Sequence, residues 1–212
     1  MEVEGNHFMY YLNLLIKKRY VVKTGTLYDL TTTGRRYIDK LSLKKFKPRI
    51  QPKIVTLLVC QNHKKEYLLY RRHHQPFFNM LGFPYGKVHL GETLASAANR
   101  EFAEKTGLTG KLIHRGDVYI TVNEHGELLT HTLFHIFFGT KMTGKLKAKS
   151  SIGDCLWMKL PHPHPNELMP GVSEIYQLLQ KYPKTLFWAE YRFDFDYPVE
   201  LIPPCKSRQV TK

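Results

Sequence analysis

The chain has 212 residues, 42% of them apolar and 24% charged, and this length suits one ordinary domain with a buried core and a small appendage. No apolar run approaches the roughly 20 residues that cross a bilayer, so no transmembrane helix and no membrane partner are expected. A formal net charge of +14 attracts phosphate groups on nucleotides or nucleic acid, with plain solubility as the alternative explanation.

The N-terminal residues and the cysteines indicate the cellular compartment. Glu2 and Glu4 stand at an N-terminus without a small-residue cleavage site, which argues against a signal peptide. Cys60, Cys155 and Cys205 are far apart and odd in number, which argues against a disulfide scaffold or a zinc knuckle. We therefore expect a cytoplasmic protein.

Residues 1–45 predict a small helix–hairpin–helix appendage. Apolar residues at helical spacing indicate an amphipathic helix from about His7 to Arg19. Two β-rich segments then flank the turn signal Thr24-Gly25, and Thr31 can cap a second helix that ends near Leu43. The stretch 46–53, which contains two prolines, predicts a linker.

Residues 54–185 predict an α/β domain. The near-continuous apolar run 54–59 is typical of a strand buried on both faces, and 66–72 is expected to form a hairpin with it. Further strands are expected at 111–122, 128–140 and 155–160, and a helix at 172–182. The stretch 186–212 predicts a late strand with alternating aromatic residues and then a frayed basic tail.

The strongest pattern lies at residues 86–108, GKVHLGETLASAANREFAEKTGL. Gly86 and Gly91 bracket a short loop, where glycine permits positive φ and close approach of the backbone to a ligand. The following residues have helical period, with an apolar stripe toward the core and Glu101 and Glu104 on another face. Two carboxylates one turn apart could hold Mg²⁺, which would activate water for in-line attack on phosphorus.

Chance is a poor explanation of this stretch. An isolated Glu pair on a helix usually marks a solvated face. Two Gly, two Glu and one Arg at fixed spacings, however, arise about once in 10⁶ start positions at background usage.

The same stretch resembles the Nudix box, the loop–helix motif of enzymes that hydrolyse nucleoside diphosphates linked to another group. The resemblance implies a Nudix α/β/α sandwich around a mixed sheet, and hydrolysis that depends on Mg²⁺ (or Mn²⁺). It implies that Glu101 and Glu104 are metal ligands and that Arg100 orients a catalytic carboxylate. Glu92 would support the loop–helix junction or the outer metal shell.

Lys105 stands where the family usually has a third carboxylate, and this exchange alters the local charge by two units. Three outcomes are open. Glu101 and Glu104 could be joined by a carboxylate from elsewhere, with Glu124 or Glu127 as candidates. Lys105 could contact a substrate phosphate as a point charge. Hydrolysis could also be lost and the pocket kept for binding.

The remaining candidates concern phosphates, bases and metal. Contacts to phosphate are expected from Gly86, Lys87, Lys105 and Arg71, with solvent exposure as the alternative for the arginine. Tyr119, Phe134 and Phe137 could stack on a base, although core packing is the more common role of strand aromatics. His131 and His135 lie four residues apart on a strand, about 13 Å, too far for one metal ion.

Residues 20–36 resemble the wing and last helix of a winged helix–turn–helix domain, mainly through Tyr28-Asp29-Leu30-Thr31 and Gly34-Arg35. The resemblance implies a nucleic-acid partner for the basic N-terminal segment. Two helices that normally precede the recognition helix are absent. The alternative is an appendage that packs on the Nudix domain or on a second copy of it in a homodimer.

The leading interpretation is a hydrolase of the Nudix type that cleaves the diphosphate linkage of a nucleoside diphosphate derivative by metal-assisted water attack. The alternative is a catalytically weakened nucleotide sensor or regulator with a nucleic-acid-binding N-terminal element. The glutamates, Arg100 and Glu92 favour the enzyme. Lys105, the winged-helix string and the charge of +14 favour the sensor.

Overall fold

The computed structural model describes residues 5–42, 45 and 47–195, without the side chains of residues 5 and 6. The chain divides into two compact units, Met1–Gln51 and Pro52–Lys212. The division falls inside the stretch 46–53 expected as a linker. The expected basic tail lies outside the described residues.

The first unit contains a helix, a hairpin and a second helix. Its elements are α1 (Gly5–Lys17), β1 (Val21–Thr24), β2 (Leu27–Leu30), α2 (Thr32–Asp39), β3 (Leu41–Ser42) and β4 (Lys47–Pro48). Thr31 caps α2, since its side chain accepts a hydrogen bond from the backbone N of Gly34 at 3.1 Å. The helix ends at Asp39, before the expected end near Leu43, because β3 pairs with β4.

The second unit holds the elements that build the site. They are β5 (Lys53–Cys60), β6 (Tyr67–Arg72), β7 (Leu81–Gly82), β8 (Tyr85–Lys87), α3 (Leu94–Thr106), β9 (Leu108–Gly110), β10 (Ile113–Glu124), β11 (Glu127–Gly139), β12 (Met142–Gly144), β13 (Gly153–Met158), α4 (Val172–Lys181) and β14 (Phe187–Asp194). A mixed five-stranded sheet has the order β14-β10-β11-β5-β8, and a three-stranded sheet has the order β13-β6-β7.

Strand β5 is buried on both faces, as its apolar run predicts. Leu57 and Val59 belong to the core cluster that includes residues of α4, whereas Leu58 and Cys60 belong to the cluster that includes residues of α3. The two helices therefore cover opposite faces of the sheet, and the expected α/β sandwich around a mixed sheet is confirmed. Among residues 5–42, 45 and 47–195, no helix has the length and apolar character needed to cross a membrane.

The expected hairpin of β5 with β6 is wrong. Strand β5 pairs with β11 in parallel and with β8 in antiparallel, which occupies both of its hydrogen-bonding edges. Strand β6 pairs instead with β13 and β7, and Gln61↔Tyr67 is an isolated bridge between the two sheets. The end of β6 therefore lies beside the residues that precede β7, since the backbone of Arg72 exchanges hydrogen bonds with Asn79 and Met80.

Candidate active site

Helix α3 begins and ends at well-formed caps. The Thr93 side chain accepts a hydrogen bond from the backbone N of Ser96 at 3.1 Å. At the other end, Gly107 adopts φ 72° and its N–H reaches the carbonyl of Ala103. Glu101 lies on the buried side of this helix together with Phe102, and only 8% of Glu101 is exposed.

Gly86 leaves the space that the Glu101 carboxyl group occupies. A Cβ atom built on Gly86 would lie 1.9 Å from Cδ of Glu101, so any other residue at position 86 would displace this carboxylate. Gly91 has a different role, since it adopts φ 86° with nothing near its missing Cβ. Of the two glycines that bracket the loop, Gly91 adopts a positive φ and Gly86 allows a close approach to its backbone.

Arg100 connects the carboxylates of the motif. Its Nε and Nη2 donate to both oxygens of Glu92 at 2.7 and 2.9 Å. Its Nη1 donates to Oε1 of Glu101 at 2.9 Å and lies 3.4 Å from Oε2 of Glu104, and Nη2 also donates to the carbonyl of Lys87 at 3.0 Å. Because the bidentate pair with Glu92 fixes the guanidinium plane, Arg100 holds Glu101 in one orientation.

Two pKa shifts follow from this environment. The hydrogen bonds from Arg100, and then from the backbone of His89, lower the pKa of Glu92 to about 2. Nearby, burial and then the charge of Arg72 lower the pKa of His74 below its usual value. Glu92 is therefore ionised and His74 is neutral at neutral pH.

Lys105 approaches the free oxygen of Glu101. Its Nζ lies 3.7 Å from Oε2 of Glu101, and 22% of the Lys105 side chain is exposed. Glu101 thus lies between two cations, Arg100 at one oxygen and Lys105 at the other. Glu104 points outward, with 62% of its side chain exposed.

A cavity of about 260 Å³ opens in front of Glu101. It is lined by Tyr70, Arg72, His74, Tyr85, Gly86, Lys87, His89, Glu101 and Lys105. Three of these residues are cations and one is a carboxylate, so the cavity suits an anion bound beside an acidic group. Gly86, Lys87 and Lys105, expected near phosphate, all lie on it.

Arg71, from which a phosphate contact is expected, does not line the cavity, whereas its neighbour Arg72 does. The Arg71 guanidinium donates to the carbonyl of Asn79 at 2.9 Å and pairs with Glu167 at 3.4 Å, away from the cavity. Arg72 faces the other side of β6, because side chains alternate along a strand, and it donates to the Tyr85 hydroxyl. The sequence alone does not tell these two adjacent arginines apart. They differ in the face of β6 from which their side chains project.

A narrow apolar cleft adjoins the cavity. Arg72 and Tyr85 line both spaces. The cleft continues along Phe77, Phe83 and Phe134. A planar base in the cleft and a phosphate group in the cavity would therefore be neighbours.

The other aromatic candidates have different neighbours. Phe137 is 4% exposed and belongs to the core cluster that includes residues of α3. The Tyr119 ring packs against His131, with centroids 4.5 Å apart. Of the three aromatics expected to stack on a base, Phe134 is the one that lines the cleft.

Glu124 and Glu127 are wrong as suppliers of a third carboxylate. They pair with each other at the turn between β10 and β11. The residue of β11 that aligns, through β5, with Gly86 is His135, eight positions beyond Glu127. Eight strand residues span about 26 Å, so neither glutamate reaches the cavity.

Glu101 and Glu104 fit a divalent ion in part. They offer two carboxylates one helical turn apart, and Mg²⁺ is usually held by one or two carboxylates with water and phosphate oxygens. The Lys105 ammonium near Oε2 of Glu101 opposes a second cation there. The two carboxylates therefore suit Mg²⁺ or Mn²⁺ as ligands, whereas the Lys105 charge opposes the ion.

Comparisons with known proteins identify the family and the fold. The NUDIX domain family model matches residues 51–179. An ADP-ribose pyrophosphatase from Methanocaldococcus jannaschii is 30% identical over 129 residues, which cover 59% of this chain and 75% of that protein. A MutT protein from Bacillus halodurans has a similar structure, with a TM-score of 0.54, 20% identity and 69% and 93% of the two chains covered.

The NUDIX domain of NrtR from Shewanella oneidensis, solved with ADP-ribose, gives a TM-score of 0.52 at 18% identity and covers 73% of this chain and all of its own. The family match covers helix α3, four of the five strands of the mixed sheet and all the residues that line the cavity in front of Glu101. The chain belongs to the Nudix hydrolase superfamily.

Proposed function

We propose that this Nudix hydrolase cleaves the diphosphate linkage of a nucleoside diphosphate derivative, with ADP-ribose as the first substrate to test. The observation that carries the proposal is the Glu101 carboxylate, held by Arg100 against Gly86 at a cavity with three cations. The adjoining aromatic cleft suits a base. The similarity to an ADP-ribose pyrophosphatase supports this substrate class.

The residues take separate roles in the proposed reaction. Glu101 and Glu104 would hold Mg²⁺ or Mn²⁺, which when bound neutralises diphosphate charge and activates water. Arg100 keeps Glu101 in place, and Glu92 keeps Arg100 in place. Arg100 thus contacts each of the three glutamates of the motif.

The cations orient the substrate. Lys87 and Lys105 attract the phosphates as point charges, and Arg72 offers a planar guanidinium at the boundary with the cleft. Phe134 and Tyr85, with ring centroids 6.0 Å apart, receive the base. A ligand that fills both spaces is positioned with its diphosphate in front of Glu101.

A substrate panel with a matched pair of variants tests the proposal. We expect Mg²⁺-dependent product release from ADP-ribose, a dinucleoside polyphosphate or a nucleoside triphosphate. Glu101→Gln lowers kcat by at least about 100-fold, since it removes the negative charge of a proposed ligand of the ion that stabilises the reacting group. Glu127→Gln, at the distant turn, is the control and keeps full activity. Equal rates in the two variants would contradict the proposal.

The ion pair between Lys105 and Glu101 favours one alternative, a nucleotide sensor whose hydrolysis is weakened. Its basic N-terminal element would bind nucleic acid through the region of Lys17 and Lys18. Tight calorimetric binding of ADP-ribose without turnover of any compound in the panel would select it. The cytoplasmic location and the homodimer stay predictions.

A further inference from the structure

We propose that His114, Asp117 and His135 form a second metal site, for a divalent transition ion of the zinc class. The Nε2 atom of His114 lies 2.8 Å from Oδ1 of Asp117, and Nδ1 of His135 lies 2.7 Å from the same oxygen. One ligand atom from each residue lies within 4.8 Å of the other two. The proposal does not depend on hydrolysis by the Nudix cavity.

A β-bulge creates this convergence. His114 and Asp117 are three residues apart, and on a regular strand their side chains would face opposite sides. In the β10–β11 ladder His114 pairs with Phe137 and Gly116 with Ile136, which leaves Arg115 without an opposite residue. The extra residue brings His114 to the face of Asp117, as bulges commonly re-aim side chains.

Gly116 makes the bulge sterically feasible. Its φ is 147°, and a Cβ atom there would lie 2.2 Å from the carbonyl oxygen of Phe187 on the neighbouring strand β14. A residue with a side chain therefore fits neither the backbone angle nor the space. The bulge that unites the three ligands is built into the sequence at this glycine.

The site is separate from the cavity of the Nudix box. Across the sheet, His135 aligns with Thr56 on β5, and Thr56 aligns with Gly86 on β8. Two strand spacings amount to about 10 Å, so an ion at His135 does not share ligands with Glu101. The two sites also differ in chemistry, since one offers carboxylates and the other mainly imidazoles.

The donor set selects the class of ion. Two imidazole nitrogens and one carboxylate oxygen suit Zn²⁺ and related ions, whereas Mg²⁺ prefers oxygen ligands alone. Three protein ligands leave one position for water or another ligand in a tetrahedral site. Tetrahedral ligands about 2.0 Å from zinc lie roughly 3.3 Å apart, so the two distances from an imidazole nitrogen to the Asp117 oxygen, 2.8 and 2.7 Å, need to lengthen by roughly 0.5 Å.

Partial exposure allows the three ligand side chains to move apart, and packing limits how far they move. The His135 side chain is 14% exposed, while His114 and Asp117 are about one-third exposed at 35% and 32%. The Phe137 ring packs on His114 with centroids 5.3 Å apart, which restrains that imidazole. An ion can therefore reach the site from solvent and meet ligands that are already directed toward one point.

Zinc titration of the untagged full chain with excess Mg²⁺ tests the proposal. We expect one Zn²⁺ per chain by calorimetry and the visible absorption of four-coordinate Co²⁺ when cobalt replaces zinc. Asp117→Asn and His135→Gln weaken zinc binding at least about tenfold, since even changes behind a ligand cost 10- to 100-fold. Bound zinc also raises the Tm, because it stabilises the folded state by mass action.

His131→Gln is the matched control, because His131 lies on the same strand and the same face and packs on Tyr119 instead. It keeps zinc affinity unchanged. Asp117→Asn is isosteric and partly exposed, so it decides the question alone if His135→Gln fails to fold. Absence of zinc binding, or an equal affinity in Asp117→Asn and the original chain, would overturn the proposal.

Discussion

Glu92 does not line the cavity, yet it positions the carboxylate that does. Both of its carboxylate oxygens accept hydrogen bonds from one edge of the Arg100 guanidinium, and Arg100 in turn donates to Glu101. A residue two contacts away from Glu101 thus helps to fix the orientation of its carboxylate. Because of these contacts, the ionisation of Glu92 affects the stability of the folded protein.

The first prediction concerns stability against pH. The folded-state pKa of Glu92 is about 2, below the ordinary value of 4.5, because Arg100 donates to it. A depressed pKa contributes stability that is complete above the ordinary value and is lost as pH falls through the folded value. We expect Glu92→Gln to lower the free energy of unfolding at pH 7, and the deficit to shrink between about pH 4.5 and pH 2.

Urea unfolding at several pH values measures this deficit. Glu127→Gln, on the exposed β10–β11 turn, controls for the loss of one carboxylate. A deficit in Glu92→Gln that is the same at pH 3 and pH 7 would show that the ionised pair does not cause it.

The second prediction concerns Lys105. Its ammonium lies 3.7 Å from Oε2 of Glu101, where a divalent ion would be held. Lys105→Glu changes the local charge by two units, and unit charges 4 Å apart interact by about 4 kcal/mol at an effective dielectric of 20. We expect the Mg²⁺ concentration for half-maximal hydrolysis to fall at least about tenfold, while KM for the nucleotide rises.

Lys105→Met separates the two effects, because it removes the charge and keeps most of the stem. Its Mg²⁺ requirement should lie between those of the original chain and Lys105→Glu. An unchanged Mg²⁺ requirement in both variants would mean that Lys105 does not compete with the ion.

At the scale of elements, local signals predict what local contacts determine. The period and caps of α3, the two glycines of the loop and the buried run of β5 are contained within short stretches of sequence. Strand partners are chosen by residues far apart in the chain, and here the sequence is weak. Three predictions fail for this reason. The hairpin of β5 with β6 and the contribution of Glu124 to the site depend on which strands pair. The choice between Arg71 and Arg72 depends on which face of β6 each side chain occupies.

The His114–Asp117–His135 cluster illustrates the same limit. His114 and Asp117 are three residues apart on β10, and on a regular strand this spacing places side chains on opposite faces of the sheet. Only the bulge at Arg115, visible in the ladder register, places them together. A glycine in mid-strand, Gly116, is the one sequence signal that points to such a bulge.

The third prediction tests the C-terminal cap of α3. Gly107 adopts φ 72°, and a Cβ atom there would lie 2.6 Å from the carbonyl oxygen of Lys145. Gly126 adopts φ 80° with nothing within 4 Å of its missing Cβ. Both alanine variants bear the backbone strain of about 1 kcal/mol, and Gly107→Ala alone bears the clash.

We therefore expect Gly107→Ala to lower the free energy of unfolding by more than Gly126→Ala, with a difference of about 1 kcal/mol or more. Denaturant unfolding of the two variants measures it. Equal losses would show that the Lys145 segment moves aside at little cost.

At the scale of the whole molecule, the positive charge is distributed over both compact units. The net charge of +14 is spread over both units, and the family match begins at residue 51, at the boundary between them. The cavity uses three cations, so most of the excess lies elsewhere. Lys17 ends α1, Lys18 follows it, and the β1–β2 hairpin begins at Val21.

The last prediction is that the full chain binds duplex DNA weakly, with an affinity that falls steeply as salt increases. Each phosphate neutralised contributes about −0.9 to the slope of log K against log salt. A double variant, Lys17→Gln with Lys18→Gln, should reduce that slope by up to about two and leave nucleotide hydrolysis unchanged. Lys64→Gln with Lys141→Gln in the second unit matches its loss of charge. If both double variants reduce the slope equally, net charge alone attracts DNA and the N-terminal unit has no special part in binding it.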